Sequence, residues 1–297
     1  MLDEIFSYGY DGSIYNLRSS PESAFYCYYK KASRMPSSFK EECIKVCYKI
    51  SDYARKQNRI PVVLLSGGLD SEVVVRAFID SGREFKIVSN RFLNQLNSHE
   101  IDYIEKFVKE KNLDIDYIDV DIEKAMYSNK YLEMAEISKC AYSEMLPTMD
   151  LIETVYSKMN GIPVLGNGDF YSTIVDNQWM YVEFEYILAW YRYSVRQNIP
   201  AAVNFYQQTS EIILSMALDP IIQQTIQQHQ MPNVRLAKYH VYKKYWDNAE
   251  IRPKFNGAEK IQQLCDDVNN TLLKQNKIYT TKWIMPTTKF IEMILPY

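Results

Sequence analysis

Short apolar runs alternate with longer amphipathic stretches through the middle of the chain. The runs at residues 61–65, 85–89, 115–120 and 162–165 have the length and composition of strands buried in a sheet. The stretches between them place apolar residues at helical spacing, as in the helix predicted over residues 71–82. A regular alternation of strand and helix is typical of a parallel sheet with right-handed crossovers. We therefore predict an α/β fold in which helices flank a twisted parallel sheet.

Helical patterns dominate on both sides of this region. Residues 21–29 are predicted to form one helix and residues 36–50 another, each opened by a proline. Glycine almost disappears after about residue 178, while apolar residues continue at helical spacing. We therefore divide the chain into an N-terminal arm with helices (1–58), a central α/β domain (59–178) and a helical C-terminal portion (179–297).

A glycine-containing loop, SGGLDS at residues 66–71, follows the first predicted strand and precedes a helix. Glycine permits positive φ and lets backbone N–H groups approach a ligand closely. Successive N–H groups in such a loop bind anions, and the N-terminus of the following helix adds to the attraction. The hydroxyl groups of Ser66 and Ser71 can add further donors. The loop is therefore a candidate phosphate site, and the simpler alternative is a turn whose glycines serve only packing.

The SGGLDS segment resembles the pyrophosphate-binding loop of the N-type ATP pyrophosphatases, also called the PP-loop family. With leucine before the aspartate, it is most similar to the asparagine synthetase branch of that family. It differs from a Walker A loop, because no Gly-Lys-Ser/Thr sequence follows. The resemblance covers roughly residues 60–175, is weak beyond residue 180 and is absent before residue 55.

A second loop, GNGD at residues 166–169, resembles the GEGADE loop of asparagine synthetases. It has Asn167 where glutamate is usual, and no acidic residue follows Asp169. Asp169 therefore carries over from the family pattern, whereas a second acidic ligand does not. If the sheet is parallel, both loops should lie at the same edge of it.

The resemblance implies an adenine nucleotide alpha hydrolase-like, Rossmann-like fold that uses ATP and Mg²⁺. It makes Asp70 and Asp169 the expected magnesium ligands, and Asp70 and Lys254 the expected catalytic residues. The residues implied to contact ATP or its pyrophosphate are Leu65, Ser66, Gly67, Gly68, Asp70, Ser71, Asn90, Gly166 and Lys254.

The assignments of two of these residues, Asn90 and Lys254, depend on weaker sequence patterns. Asn90 follows the second predicted strand, where the family has a wall against adenine, and a turn-forming asparagine is the alternative. Lys254 is chosen because a lysine of the C-terminal portion returns to the phosphates in this family. It follows Pro253 in a basic loop, with Arg252 as its rival and a solvated loop as the alternative.

The implied activity is an AMP- and pyrophosphate-forming ligation. ATP would adenylate a carboxylate or carbonyl of a small acceptor molecule, and ammonia or an amine would displace AMP. Asparagine synthetases begin with a cysteine after Met1, but residue 2 here is leucine, and the first 60 residues cannot hold a glutaminase domain. Free ammonia, an amine or a separate glutaminase is therefore the expected nitrogen source.

Two other functions remain open. One is an ATP-dependent thiolase acting on RNA or a nucleoside, which usually needs a pair of cysteines near ATP, and only Cys140 is in a plausible place. The other is a non-catalytic nucleotide-binding protein with a decayed site, a reading supported by the shortened second loop.

Composition changes this picture little. The chain of 297 residues is 47% hydrophobic and 24% charged, as in ordinary globular proteins, and a homo-oligomer is compatible with it. A net charge of −3 gives no reason to expect a nucleic-acid partner. Five cysteines without a CxxC motif indicate neither disulfides nor zinc, so we expect a reducing cytoplasm. No membrane association is expected, because no apolar run approaches the roughly 20 residues needed to span a bilayer and no signal peptide pattern is present.

Overall fold

The structure is a computed structural model that describes residues 6–11, 13–14, 22–228, 231–253, 258–276 and 281–296. The strands are β1 (Phe6–Tyr10), β2 (Ser13–Ile14), β3 (Phe25–Tyr29), β4 (Ile60–Leu64), β5 (Lys86–Phe92), β6 (Asp116–Val120), β7 (Gly161–Leu165), β8 (Ser172–Val175), β9 (Gln178–Phe184) and β10 (Lys282–Pro286). The helices are α1 (Phe39–Lys56), α2 (Leu69–Ser81), α3 (Ser98–Lys111), α4 (Ile122–Ala125), α5 (Asn129–Ser138), α6 (Leu146–Lys158), α7 (Ala189–Arg196), α8 (Ser210–Ala217), α9 (Pro220–Gln228), α10 (Arg235–Tyr245), α11 (Gln262–Asn276) and α12 (Thr287–Ile294).

A four-stranded parallel sheet in the order β6–β5–β4–β7 forms the centre of the fold. Its residues alternate between two buried clusters, because successive side chains of a strand point to opposite faces. Val63 packs in a cluster with α1, α2 and α3, whereas Val62 and Leu64 pack in another with α5 and α6. Helices therefore cover both faces, and the predicted α/β fold with a parallel sheet is confirmed.

The segment before α1 forms a strand where a helix was predicted over residues 21–29. β3 pairs antiparallel with β1, and β2 lies on the other side of β1. Phe25 and Cys27 are buried, while Tyr26 between them is exposed. This alternation with a period of two residues, in a segment rich in aromatic residues, favours a strand. The helix prediction for this segment is therefore wrong.

A second antiparallel sheet, in the order β10–β9–β8, interrupts the portion that was predicted to be helical. β8 and β9 are joined by Asp176 and Asn177, both with positive φ, as the tight turn of a hairpin requires. β10 reaches β9 from far along the chain, with Trp283 opposite Glu183. The prediction of a helical C-terminal portion is thus wrong for β9 and β10, whereas α7 to α12 agree with it.

Aromatic packing joins the N-terminal and C-terminal portions of the chain. The ring of Phe39 stacks with Tyr206 at 6.1 Å and with Tyr242 at 5.6 Å between ring centroids. The N-terminal and C-terminal portions therefore share one core, and domain boundaries at residues 58 and 178 stay a prediction. None of the helices in the described part of the chain is long and apolar enough to cross a membrane.

Packing between α2 and its neighbours can be tested with two adjacent residues. Phe78 is fully buried, whereas Ile79 is 38% exposed. Phe78→Ala should lower the free energy of unfolding by about 3–5 kcal/mol, because it leaves a cavity in the core. Ile79→Ala should cost about 1 kcal/mol or less. Chemical denaturation followed by circular dichroism measures both values, and equal losses would contradict this packing.

Candidate functional site

The loop at residues 66–71 joins β4 to α2 at the carboxyl edge of the sheet. The backbone N–H of Ser66 donates to the hydroxyl of Ser71 at 3.1 Å, and that hydroxyl donates to the Gly68 carbonyl at 2.9 Å. The Ser71 hydroxyl, predicted as a ligand donor, thus also holds the loop in its turn. Because the N-cap residue of α2 is Gly68, no N-cap side chain competes for the N–H groups of the first helical turn.

Gly67 occupies a position of the loop where only glycine fits. Its φ is +71°, and a Cβ atom would lie 2.8 Å from the carbonyl oxygen of Glu100. The loop therefore packs directly on the first turn of α3, with no room for a side chain.

The second glycine loop touches the first. A Cβ atom on Gly166 would lie 2.8 Å from the carbonyl carbon and oxygen of Asp70 and from the Cα of Ser71. The loops follow β4 and β7, which are neighbouring parallel strands. The prediction that both loops lie at the same edge of the sheet is confirmed.

Lys238 of α10 lies between the two predicted magnesium ligands. Its Nζ atom is 2.8 Å from Oδ1 of Asp70 and 2.5 Å from Oδ2 of Asp169. Burial lowers the pKa of Lys238, but the Coulombic attraction of Asp169 and Asp70 outweighs it and raises the pKa above its ordinary value. A charged lysine of the C-terminal portion therefore holds the acidic residues of both loops together.

Two buried tyrosines orient Asp70. The hydroxyl of Tyr242 donates to Oδ1 of Asp70 at 2.8 Å, and the hydroxyl of Tyr206 donates to the Asp70 carbonyl at 2.7 Å. Burial, followed by the charge of Asp70, raises the pKa of both hydroxyls well above the ordinary value, so they stay neutral donors. Both the side chain and the backbone of Asp70 are therefore held by hydrogen bonds from the C-terminal portion.

Sequence reasoning missed Lys238, Tyr206 and Tyr242. Lys238 and Tyr242 are four residues apart and share one face of α10, which is the signal that could have found them. The aromatic residues were interpreted as core, which is correct for their rings but omits their hydroxyl groups.

A cavity of about 540 Å³ opens beside the two loops, within the range of small-molecule sites. Residues predicted to contact ATP are prominent in its lining: Leu65, Ser66, Gly68, Asp70, Ser71, Asn90 and Gly166. Gly67 is not part of this lining, and its contribution is to the shape of the loop.

Asn90, which lines the cavity, belongs to β5, so the alternative of a turn-forming asparagine is wrong. The side-chain amide of Asn90 donates to the Pro147 carbonyl at 2.9 Å, which fixes the start of α6 against the sheet. Tyr186 and Trp190 add aromatic rings to the lining of the cavity. Glu144 lies there too, and within the described residues its buried Oε2 atom has no hydrogen-bond partner.

Lys254, the predicted catalytic lysine, lies outside the described residues. Pro253 before it lines the cavity. Its rival Arg252 is buried and bound to Glu72 of α2, with 2.5 Å between Nη2 and Oε2. Arg252 is therefore committed to a buried ion pair, and its assignment as a phosphate ligand has no support in the structure.

The cysteines do not form a reactive pair near the loops. All five are buried and free, and none lines the cavity. Burial raises the pKa of Cys140 to about 12, and its thiol donates to the Tyr142 carbonyl. A thiol in this environment is a poor nucleophile at neutral pH.

Comparison with known proteins supports the interpretation of the first loop. Residues 60–154 match the family described as queuosine biosynthesis protein QueC. No curated protein matches the chain. A solved structure of NMN synthetase from Francisella tularensis matches with 12% identity over 82% of this chain and 98% of that chain, at a TM-score of 0.33, which is too low to carry an argument.

The QueC match runs from β4 into α6 and contains the SGGLDS loop, but it ends before the second loop. It leaves the assignment to the asparagine synthetase branch a prediction. The match spans less than half of the chain and marks a similarity of its α/β part to that family, and the parallel sheet with a glycine loop at its carboxyl edge agrees with an adenine nucleotide alpha hydrolase-like fold.

Proposed function

We propose that the chain is an ATP-dependent ligase that releases AMP and pyrophosphate while it amidates a carboxylate or carbonyl group. The observation that carries this proposal is the contact of Lys238 with both Asp70 and Asp169 where the two glycine loops meet. A cation and two carboxylates beside a loop rich in backbone donors suit a magnesium-bound polyphosphate.

The terminal phosphates of ATP would lie against the loop at residues 66–71, where backbone N–H groups and the N-terminus of α2 favour anions. Asn90 would then lie on the adenine side. Asp70 and Asp169 fit a magnesium ion as it is bound in phosphate sites, by one or two carboxylates together with phosphate oxygens and water. Bound there, the ion would neutralise charge on the pyrophosphate.

The reaction would proceed by two displacements. An oxygen of the acceptor attacks the α-phosphorus, the bond to the bridging oxygen breaks, and pyrophosphate leaves with that electron pair. Ammonia or an amine then attacks the activated carbon, loses a proton, and AMP leaves. The protein contributes by positioning the reactants and stabilising charge. Lys238 would stabilise the charge that develops on the departing pyrophosphate.

The acceptor would bind beside Tyr186 and Trp190 of the cavity lining, with Glu144 as a hydrogen-bond acceptor. We propose free ammonia, an amine or a separate glutaminase as the source of nitrogen. A homo-oligomer and a cytoplasmic location likewise remain proposals, and we propose no nucleic-acid partner.

One observation favours a second function, nucleotide binding without catalysis. Asn167 stands where the related loop carries an acid, and its side-chain amide donates to Oδ1 of Asn204 at 2.8 Å. This residue is thereby committed to a structural contact. The thiolase alternative has less support, because no described cysteine lines the cavity.

The products of turnover test the proposed ligase directly. We expect ATP to be converted to AMP and pyrophosphate, because the loop offers no Walker lysine to the γ-phosphate. The measurement is chromatography of labelled ATP after incubation with magnesium, ammonia and a panel of carboxylic acids. Asp169→Asn removes one proposed magnesium ligand and should lose the magnesium-dependent part of ATP binding. ADP as the dominant product would contradict the proposal.

Lys238 should matter more for turnover than for nucleotide affinity, because it stabilises charge that develops as pyrophosphate departs. We expect Lys238→Gln to lower the rate of AMP formation by roughly 10²–10³-fold. Lys238→Arg keeps the charge and should retain more activity. Lys130→Gln removes a half-exposed lysine elsewhere and serves as a control.

Lys254→Ala tests the prediction from the sequence in the same assay. If Lys254→Ala abolishes turnover while Lys238→Gln stays within about threefold of the parent, Lys254 is the catalytic cation and the role given to Lys238 is wrong.

A further inference from the structure

A buried carboxylate, Glu183 of β9, belongs to a network that reaches the second glycine loop. Its Oε1 atom accepts hydrogen bonds from the hydroxyl of Tyr29 at 2.6 Å, from the hydroxyl of Tyr181, and from Nε2 of Gln207 at 2.6 Å. These donors come from β3, from β9 itself and from a short 3₁₀ turn at Phe205–Gln207. A buried carboxylate is retained only when such donors satisfy it, so this cluster forms one connected network.

Gln207 connects this network to the second glycine loop, because it also packs against Gly168. Gly168 has a φ of +80°, and a Cβ atom on it would lie 2.8 Å from Cδ and 2.9 Å from Oε1 of Gln207. The backbone N–H of Tyr206 also donates to the Asn167 carbonyl at 3.1 Å. The Gln207 amide is thus packed against the residue that immediately precedes Asp169.

The environment of Glu183 makes its charge sensitive to pH near neutrality. Burial raises its pKa to about 7, the hydrogen bonds from Tyr181, Tyr29 and Gln207 oppose this rise, and the charge of Asp169 adds to it. The opposing residue on β10 is Trp283, which does not ionise. The ionisable groups that interact with Glu183 are Cys27 and Tyr29 of β3, Tyr181 of β9 and Asp169 of the loop.

We propose that Glu183 is a positioning residue of the ATP site, which fixes Gln207 against Gly168 and thereby sets the position of Asp169 relative to Lys238. This proposal rests on the proposed function, because Asp169 is taken as a magnesium ligand. An ionised carboxylate accepts stronger hydrogen bonds than a neutral one. Glu183 ionises as pH rises through about 7, so the hydrogen bond that it accepts from Gln207 becomes stronger. The magnesium-dependent affinity for ATP should rise over the same pH range.

The test compares three variants by calorimetry of ATP with and without magnesium, at pH 6 and pH 8.5. Glu183→Gln keeps a carbonyl oxygen as the acceptor but cannot ionise, so it should bind MgATP without the rise that the parent shows. The titration of ATP itself is the same for parent and variant, so it cancels when their affinities are compared at the same pH and magnesium concentration. Glu183→Leu and Gln207→Leu should each weaken MgATP binding by about tenfold, the size expected when a hydrogen bond to a charged group is lost. ATP without magnesium should change by less than about threefold.

The double variant Glu183→Leu/Gln207→Leu should be no weaker than either single variant, because the two residues act through one contact. Glu185→Gln is the matched control. Glu185 is another buried acid two residues further along the chain, and it interacts with Tyr10, Arg192 and Thr281 rather than with the glycine loops. It should leave MgATP affinity unchanged.

Several outcomes would overturn the proposal. MgATP affinity equal to that of the parent in Gln207→Leu, a pH profile unchanged in Glu183→Gln, or an equal loss in Glu185→Gln would each show that Glu183 is only structural. None of these three comparisons uses Glu183→Leu, so they can be made even if that variant fails to fold. If Asp169→Asn leaves the magnesium dependence of ATP binding intact, the proposed function fails first, and the role of Glu183 fails with it.

Discussion

The candidate site depends on the ion cluster of Lys238, Asp70 and Asp169. It joins two loops, which follow neighbouring strands, to a helix from the C-terminal portion. Lys238 is buried while its partners are partly exposed, so removing a carboxylate leaves the buried charge of Lys238 less compensated and is destabilising. The cluster has one positive charge against two negative charges beside a cavity proposed for a polyanion. That imbalance is the physical reason to expect a divalent cation with the nucleotide.

Aromatic residues give this cluster its rigidity. Tyr206 and Tyr242 donate to Asp70 and stack on Phe39, which opens α1. Through these contacts the N-terminal and C-terminal portions both support the loop at residues 66–71. The site is therefore a product of the whole chain, although the residues that would meet the phosphates lie in two short loops. The network around Glu183 supports the second loop in a comparable way.

The central sheet and its glycine loops could be predicted because their signals are local. An apolar run followed by glycine and aspartate is visible within about ten residues, and the sheet then follows from the alternation of strand and helix. The strands β3, β9 and β10 could not be predicted so easily. Their pairing is antiparallel, and β10 contributes a partner to β9 from about a hundred residues away.

Lys238 illustrates the other limit of sequence reasoning. A lysine on a helix is ordinarily exposed, so its burial against Asp70 and Asp169 becomes visible only when α10 is placed beside the loops. The sequence predicts that a lysine of the C-terminal portion reaches the phosphates, and the choice of Lys254 stays a prediction because that residue lies outside the described residues. Tertiary packing, rather than local pattern, determines which lysine reaches the carboxylates.

A crystal structure with magnesium and a non-cleavable analogue, α,β-methylene-ATP, tests the central claim most directly. The account predicts that the β- and γ-phosphates lie against residues 66–71, with the metal at Asp70 and Asp169. The ammonium of Lys238 should lie within hydrogen-bond distance of a phosphate oxygen. A triphosphate bound elsewhere, or a Lys238 that makes no contact with it while both carboxylates face away from the metal, would contradict the account.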